Sequence, residues 1–246
     1  MARYDFNAQR LYVEADLAAG ATVACSRGQA NYLRNVLRLK AGDAILAFNG
    51  RDGEWRAELA EAGKRGAALH IGDKMREQEG GPDIDYLFAP LKRARLDYMV
   101  QKAVEMGVAR LRPVLTRRTV AERVNMDRLA ANAIEAAEQC GILRIPKLHA
   151  PEKLEHVIAG WDAGRALIFC DEDSGEACPF TALARVAPGP LAVLIGPEGG
   201  FEASERELLS SQPFVTRISL GPRILRADTA AVAALALVNA ALGDWR

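Results

Sequence analysis

Paired cysteines are missing from this chain. The four in its 246 residues, Cys25, Cys140, Cys170 and Cys178, share no common spacing. That argues against a disulfide framework and for free thiols in a cytosolic protein. Histidine is scarce too, and His70, His149 and His156 form no ligand spacing with the cysteines, so no metal site is expected. Long hydrophobic runs are absent: the longest, Ala230 to Val238, falls far short of the roughly 20 residues a spanning helix needs. The opening residues MARYDFNAQRLYVEADL show no basic-then-apolar leader and no small-residue cleavage site, which points to the cytoplasm. Net charge is also lacking. Lys plus Arg and Asp plus Glu both number 32, so a polyanion must be met by a local patch rather than by the field of the whole molecule. What is present is an ordinary globular composition, half hydrophobic and 26% charged.

The polar stretch GDKMREQEGGPD, with Gly80, Gly81 and Pro82, has almost nothing to bury and reads as a linker. It sets an N-terminal domain over 1–73, a linker over 74–83 and a C-terminal domain over 84–246. Ahead of the linker, ILAFN (45–49), EWRAEL (54–59) and AALHI (67–71) are strand-like and separated by turns such as NGRDG, which predicts a small β-rich domain or barrel. Asn31 to Leu39 reads as one short helix with Leu33, Val36 and Leu37 on one side. Behind the linker, apolar strands (84–90, 110–115, 165–170, 190–196 and 214–221) alternate with helices. One helix carries Leu96, Met99, Val100, Ala103 and Val104 inward and stops at Gly107. A second spans Asp127 to Cys140, with Leu129, Ala133, Ile134 and Ala137 inward. Ser204 and Glu207 have capping-box spacing, with Ala203 and Leu208 as a weak staple. The last helix, Thr229 to Leu242, is apolar on nearly every face and so is buried or shared with another subunit. The alternation predicts an α/β domain with a mostly parallel sheet.

LIGPEGGFEASERE (194–207) empties a strand into glycines and then a helix start. It lacks the lysine of a Walker loop and the spacing of a dinucleotide fingerprint, and Glu198 would repel phosphate. A plain turn with positive φ at Gly199 and Gly200 is the simple alternative. The stretch LGPRILRADTA (220–230) repeats the arrangement: strand, Gly-Pro, helix start. Parallel strands bring two such loops to one carboxyl edge, where ligands bind. Padding from Leu194, Ile195, Leu220, Ile224 and Leu225 suits a flat, mostly uncharged ligand such as adenine with a thioether chain.

GPEGGF followed by LGPRILRADTA resembles the signature of the 16S ribosomal RNA (uracil-N3) methyltransferase family, within the SPOUT superfamily. YLRNVLRLKAGD (32–43), QKAVEMGV (101–108) and AIEAAEQCG (133–141) are similar to further blocks of that family. Asp228, Asn31 and Ile142 stand where the family commonly has Glu, His and Arg. The resemblance implies a C-terminal α/β domain with a deep trefoil knot, a small PUA-like N-terminal domain, a homodimer, and S-adenosylmethionine as cofactor. Its substrate would be 16S ribosomal RNA or the small ribosomal subunit. The candidate cofactor contacts are Leu194, Ile195, Gly196, Glu198, Gly199, Gly200, Leu220, Gly221, Ile224, Leu225 and Thr229.

Uracil N3 is a poor nucleophile until its proton leaves, and the resulting charge spreads over N3 and two carbonyl oxygens. Arg226 is the candidate to stabilise that charge, because its planar fork matches a delocalised oxyanion. Asp228 could orient Arg226, accept the proton, or merely cap the last helix, a role Thr229 could share. Glu198 is the other candidate base, or it simply caps or holds its loop, and Arg226 could instead pair with Asp228 or Glu198 as a structural bridge. For RNA, no acidic residue lies between Ala21 and Gly42, where Arg27, Arg34, Arg38 and Lys40 stand. Lys92, Arg93 and Arg95 form a second cluster, and Arg110, Arg112, Arg117, Arg118 and Arg123 a third. Together they suggest a phosphate-binding track. Arg10, which resembles a family residue, would join it. The rival readings are a sister knotted methyltransferase acting on transfer RNA or a ribose 2′-hydroxyl, and a non-catalytic RNA-binding assembly factor.

Overall fold

The computed structural model describes residues 8–62, 66–120, 123–175 and 178–245. The chain divides into two units, Met1–Gly80 with Ala137–Ile145, and Gly81–Ala136 with Pro146–Arg246.

The first unit holds strands β1 (Arg10–Tyr12), β2 (Thr22–Ala24), β3 (Ala44–Phe48), β4 (Glu54–Ala62) and β5 (Gly66–Arg76), in the order β1-β3-β4-β5-β2. Only the β1–β3 pair is parallel. Alternate residues of β4, Trp55, Ala57 and Leu59, pack inward with Leu69 and Ile71 of β5 and with Leu11 and Leu33. β5 runs to Arg76, into the stretch read as linker. The reason is ionic: Arg76 lies buried against Glu54, with Nε at 2.8 Å and Nη2 at 2.9 Å from its two oxygens. The single helix read over 31–39 is corrected. Ser26 and Gln29 form a capping box that starts α1 (Arg27–Asn31), and a π-helical turn follows over Tyr32–Val36. That wider turn leaves Leu33 buried but swings Val36 outward, to 61% exposure.

The second unit is built on a seven-stranded sheet of β6 (Ile84–Phe88), β7 (Arg110–Leu115), β8 (Lys147–Leu148), β9 (Glu152–Lys153), β10 (Ala166–Cys170), β11 (Leu191–Ile195) and β12 (Val215–Ile218). The order is β12-β10-β11-β6-β7-β8, with β9 also on β7, and every pair is parallel. β6 and β11 are buried at every residue, as central strands covered on both faces must be. Helices α2 (Arg93–Glu105), α3 (Met126–Cys140), α4 (Leu154–Ala159), α5 (Pro179–Leu183), α6 (Ala203–Ser210) and α7 (Ala227–Leu242) connect or cover them. α2 ends where sequence placed its stop, at Gly107 with φ of 76°. α6 does not use Ser204 and Glu207. Its capping box is Glu202 with Glu205, because Glu205 is buried and one oxygen accepts from the Glu202 amide while the other accepts from the Arg117 amide. α7 packs on α2 and β11, burying Ala231, Ala234, Leu235 and Val238, together with Asn239, whose amide donates to the Met106 carbonyl at 2.9 Å. No helix among the described residues is long and apolar enough to cross a membrane.

Candidate active site

The two glycine loops meet. Residues 195–201, after β11, and 220–225, after β12, line one cavity of about 470 Å³ at the carboxyl edge of the sheet, floored by Cys170 and Asp171 from the end of β10. Of the sequence candidates, Ile195, Gly196, Glu198, Gly199, Gly200, Leu220, Gly221, Ile224 and Leu225 line it. Two do not. Leu194 points to the opposite face of β11, into the core with Leu87, Ala192 and Phe201. Thr229 lies exposed in the first turn of α7, outside the cavity.

Each loop is shaped by its own residues. Phe201 folds back so closely that a Cβ on Gly196 would stand 2.4 Å from its ring, and the ring meets Phe169 edge-on at 4.9 Å. The turn is closed by the Gly200 amide donating to the Pro197 carbonyl at 2.9 Å. Positive φ falls on Gly200 (67°) and not on Gly199. Gly221, at φ of 97°, turns the second loop. Two arginines grip the first: Arg95 of α2 pairs with Glu198, and Arg118 donates to the Gly199 carbonyl at 2.8 Å. Replacing Gly196 with alanine forces Phe201 out of place. The expected result is about 1–3 kcal/mol lost in urea unfolding, together with weaker cofactor binding by calorimetry. Arg118→Ala frees one side of the loop and should weaken cofactor binding about five- to tenfold without changing the melting temperature, as expected for one exposed charge-assisted hydrogen bond.

Acidic groups dominate the floor. Asp171 is buried and held by Arg217 at 2.7 Å and Arg206 at 3.6 Å, and Arg206 also pairs with Glu172 and Asp173. Burial keeps the Cys170 thiol far above its usual range and therefore neutral. Tyr86 is wholly buried, its hydroxyl has no hydrogen-bond partner among the described residues, and burial raises its pKa, with lesser contributions from Cys170 and Asp228.

The catalytic candidates fall at the cavity's rim. Arg226 is the exposed N-cap residue of α7, next to the lining residues Leu225 and Ala227. Asp228 is therefore not the N-cap. It stands one residue inside the helix, and its Oδ1 accepts from the Thr229 amide at 2.9 Å. Glu198 is committed to Arg95.

The basic clusters separate sharply. Arg10 does not belong to an RNA face: it is buried, and its Nε donates to Glu54 at 2.9 Å. Arg110 and Arg112 are held by Asp83 and Asp85, and Arg117 lies by Glu155 and Glu202. Arg38, Lys40, Lys92 and Arg93 are exposed and Arg34 half-buried, and none of these five enters an ion pair among the described residues.

The family described as an RNA methyltransferase domain matches residues 79–239. The chain belongs to that family. A second family, the RNA methyltransferase PUA domain, matches residues 26–72, within the first unit. The ribosomal RNA small subunit methyltransferase E of Rickettsia conorii is 29% identical over 232 residues, 94% of either chain. The protein of the same name from Synechocystis sp. is 30% identical over 240 residues, 96% of this chain and 78% of the relative. The crystal structure of a ribosomal RNA small subunit methyltransferase E from Neisseria gonorrhoeae bound to S-adenosyl methionine matches with a TM-score of 0.85 at 26% identity, covering 98% of this chain and 100% of the other. The cavity of this RNA methyltransferase also includes Asp171, Glu172, Phe201, Arg223 and Ala230, which sequence reasoning missed. The run CDEDS at a strand's carboxyl end was the available signal for the first two.

Proposed function

We propose that this RNA methyltransferase transfers a methyl group from S-adenosylmethionine to N3 of a uridine in 16S ribosomal RNA of the small ribosomal subunit. The observation that carries the reading is the single cavity shared by the loops after β11 and β12. Its chemistry fits the cofactor. Apolar walls from Ile195, Leu220 and Leu225 suit an adenine, and loop amides and carbonyls supply directional hydrogen bonds. Bound there, S-adenosylmethionine would supply an electrophilic sulfonium methyl. The protein's own task is to orient the uracil and remove its N3 proton. Asp228 is the base in this reading, since Glu198 is already occupied by Arg95, and Arg226 stabilises the charge that develops on the ring. The two-domain organisation, the knotted path of the C-terminal domain, the homodimer and the cytoplasmic location belong to the same reading. The family resemblance supports the first three, and the apolar faces of α7 add to the case for a dimer.

The test is transfer of labelled methyl from S-adenosylmethionine to small-subunit ribosomal RNA, followed by nucleoside analysis. N3-methyluridine is the expected product. Label found only on ribose or on transfer RNA would reject the assignment.

A further inference from the structure

The turn joining α1 to the π-helical segment exposes a strip that the proposed cofactor site does not use. Ala30 and Leu33 face the core and Leu37 is half-buried against it, whereas Asn31, Tyr32, Asn35 and Val36 are all exposed. Tyr32 is 36% exposed and Val36 61%, one turn apart on the surface of a small domain that buries most of its other large apolar residues. Two backbone features mark the segment. The π-helical turn widens the coil, with the Leu37 amide donating to the Tyr32 carbonyl at 2.9 Å, and such turns concentrate at functional sites. Arg38, at φ of 58°, is the one non-glycine residue in the left-handed region among those described, a strain that proteins keep where it aims a side chain.

The surroundings are cationic. Arg27, Arg38 and Lys40 are exposed and enter no ion pair among the described residues, and no acidic residue falls between Ala21 and Gly42. The Asn35 amide donates to the Asn31 side-chain oxygen at 2.7 Å, which uses one of its two N–H groups. We infer that this strip binds single-stranded RNA, with Tyr32 stacking on an unpaired base, Val36 extending the platform, and Arg38 and Lys40 meeting the flanking phosphates. An aromatic flanked by uncommitted cations is the arrangement that holds unpaired nucleotides. The inference deepens the RNA substrate proposed above and rests on it, but it can be tested without catalysis.

The experiment measures fluorescence anisotropy of the full chain with a labelled single-stranded oligouridylate of about 16 nucleotides and with an RNA duplex of similar length. Tyr32→Ala is expected to weaken single-strand binding about tenfold without altering duplex binding or melting temperature, and Tyr32→Phe to restore it. Arg38→Gln should lower the salt-dependence slope by about one, while Tyr32→Ala leaves it unchanged. Four results overturn the inference: unaltered binding by Tyr32→Ala, an equal loss on duplex, failure of Tyr32→Phe to rescue, or a change of oligomeric state on Tyr32→Ala, which would give the strip to a second copy. Normal oligonucleotide binding with lost affinity for protein-bearing small subunits would assign it to a protein and overturn it as well. If wild type shows the single-strand results but methylates no ribosomal RNA, the substrate reading fails and the stacking site stands.

Discussion

Glu54→Ala is expected to destabilise the N-terminal unit by about 3–5 kcal/mol, the cost of removing one partner from a buried ion network. Both of its oxygens are engaged: Oε1 accepts from Arg10 at 2.9 Å and from Arg76 at 2.9 Å, and Oε2 accepts from Arg76 at 2.8 Å. All three side chains are 5% exposed or less. Removing the carboxylate takes from both guanidiniums the anion they share. Arg76 retains its 2.7 Å bond to the Gly141 carbonyl, a neutral acceptor. Urea unfolding with hydrogen exchange localised to β3, β4 and β5 measures the effect. Glu54→Gln keeps the shape and one acceptor oxygen but turns an NH2 donor toward an arginine, so its cost should be smaller but still above about 1 kcal/mol, as charged hydrogen bonds exceed neutral ones. A variant as stable as wild type would show that the triad's desolvation cancels its attraction.

Turnover is where Arg226 should show itself. Arg226→Ala is expected to lower kcat by about 10²–10³-fold, the usual loss on removing one donor from a developing oxyanion. Its side chain is exposed at the N-cap of α7 and is not among the groups lining the cavity. Cofactor affinity by calorimetry should therefore stay within about twofold, well under the tenfold that 1.4 kcal/mol represents. Arg226→Lys keeps charge but loses the planar fork, and should recover only part of the rate. Parallel losses in kcat and in cofactor affinity would instead make Arg226 a structural support of the loop, and an unchanged kcat would remove it from the chemistry.

Much of the site was legible in the chain because glycine-rich turns after apolar strands have few other uses. Nine of the eleven cofactor candidates line the cavity. The two misplaced ones failed for identifiable reasons. Leu194 is one strand position from Ile195, and period two sends neighbours to opposite faces. Thr229 was placed by proximity along the chain, but the first turn of a helix carries it away from the loop. Arg10 misled because sequence shows a cation and not its partner, and Glu54 is 44 residues distant. The capping of α6 went the same way: S-x-x-E spacing at Ser204 was sound locally, yet the buried Glu205 answers to Arg117, 88 residues earlier.

By itself the sequence determined the elements that local physics controls. These are the buried parallel strands, which run as apolar blocks, the helix α2 with its glycine stop, the alternation that makes an α/β unit, and the two glycine loops, neither with the lysine that would hold a triphosphate. Tertiary structure decided what depends on distant partners: which strand ends adjoin, which arginines are consumed by carboxylates and which stay available, and which side of a wide helical turn faces water. The difference is one of range. Backbone preferences and periodicity act over a few residues and are written in order, whereas charge pairing and cavity walls join positions that only the folded chain brings within a few ångströms.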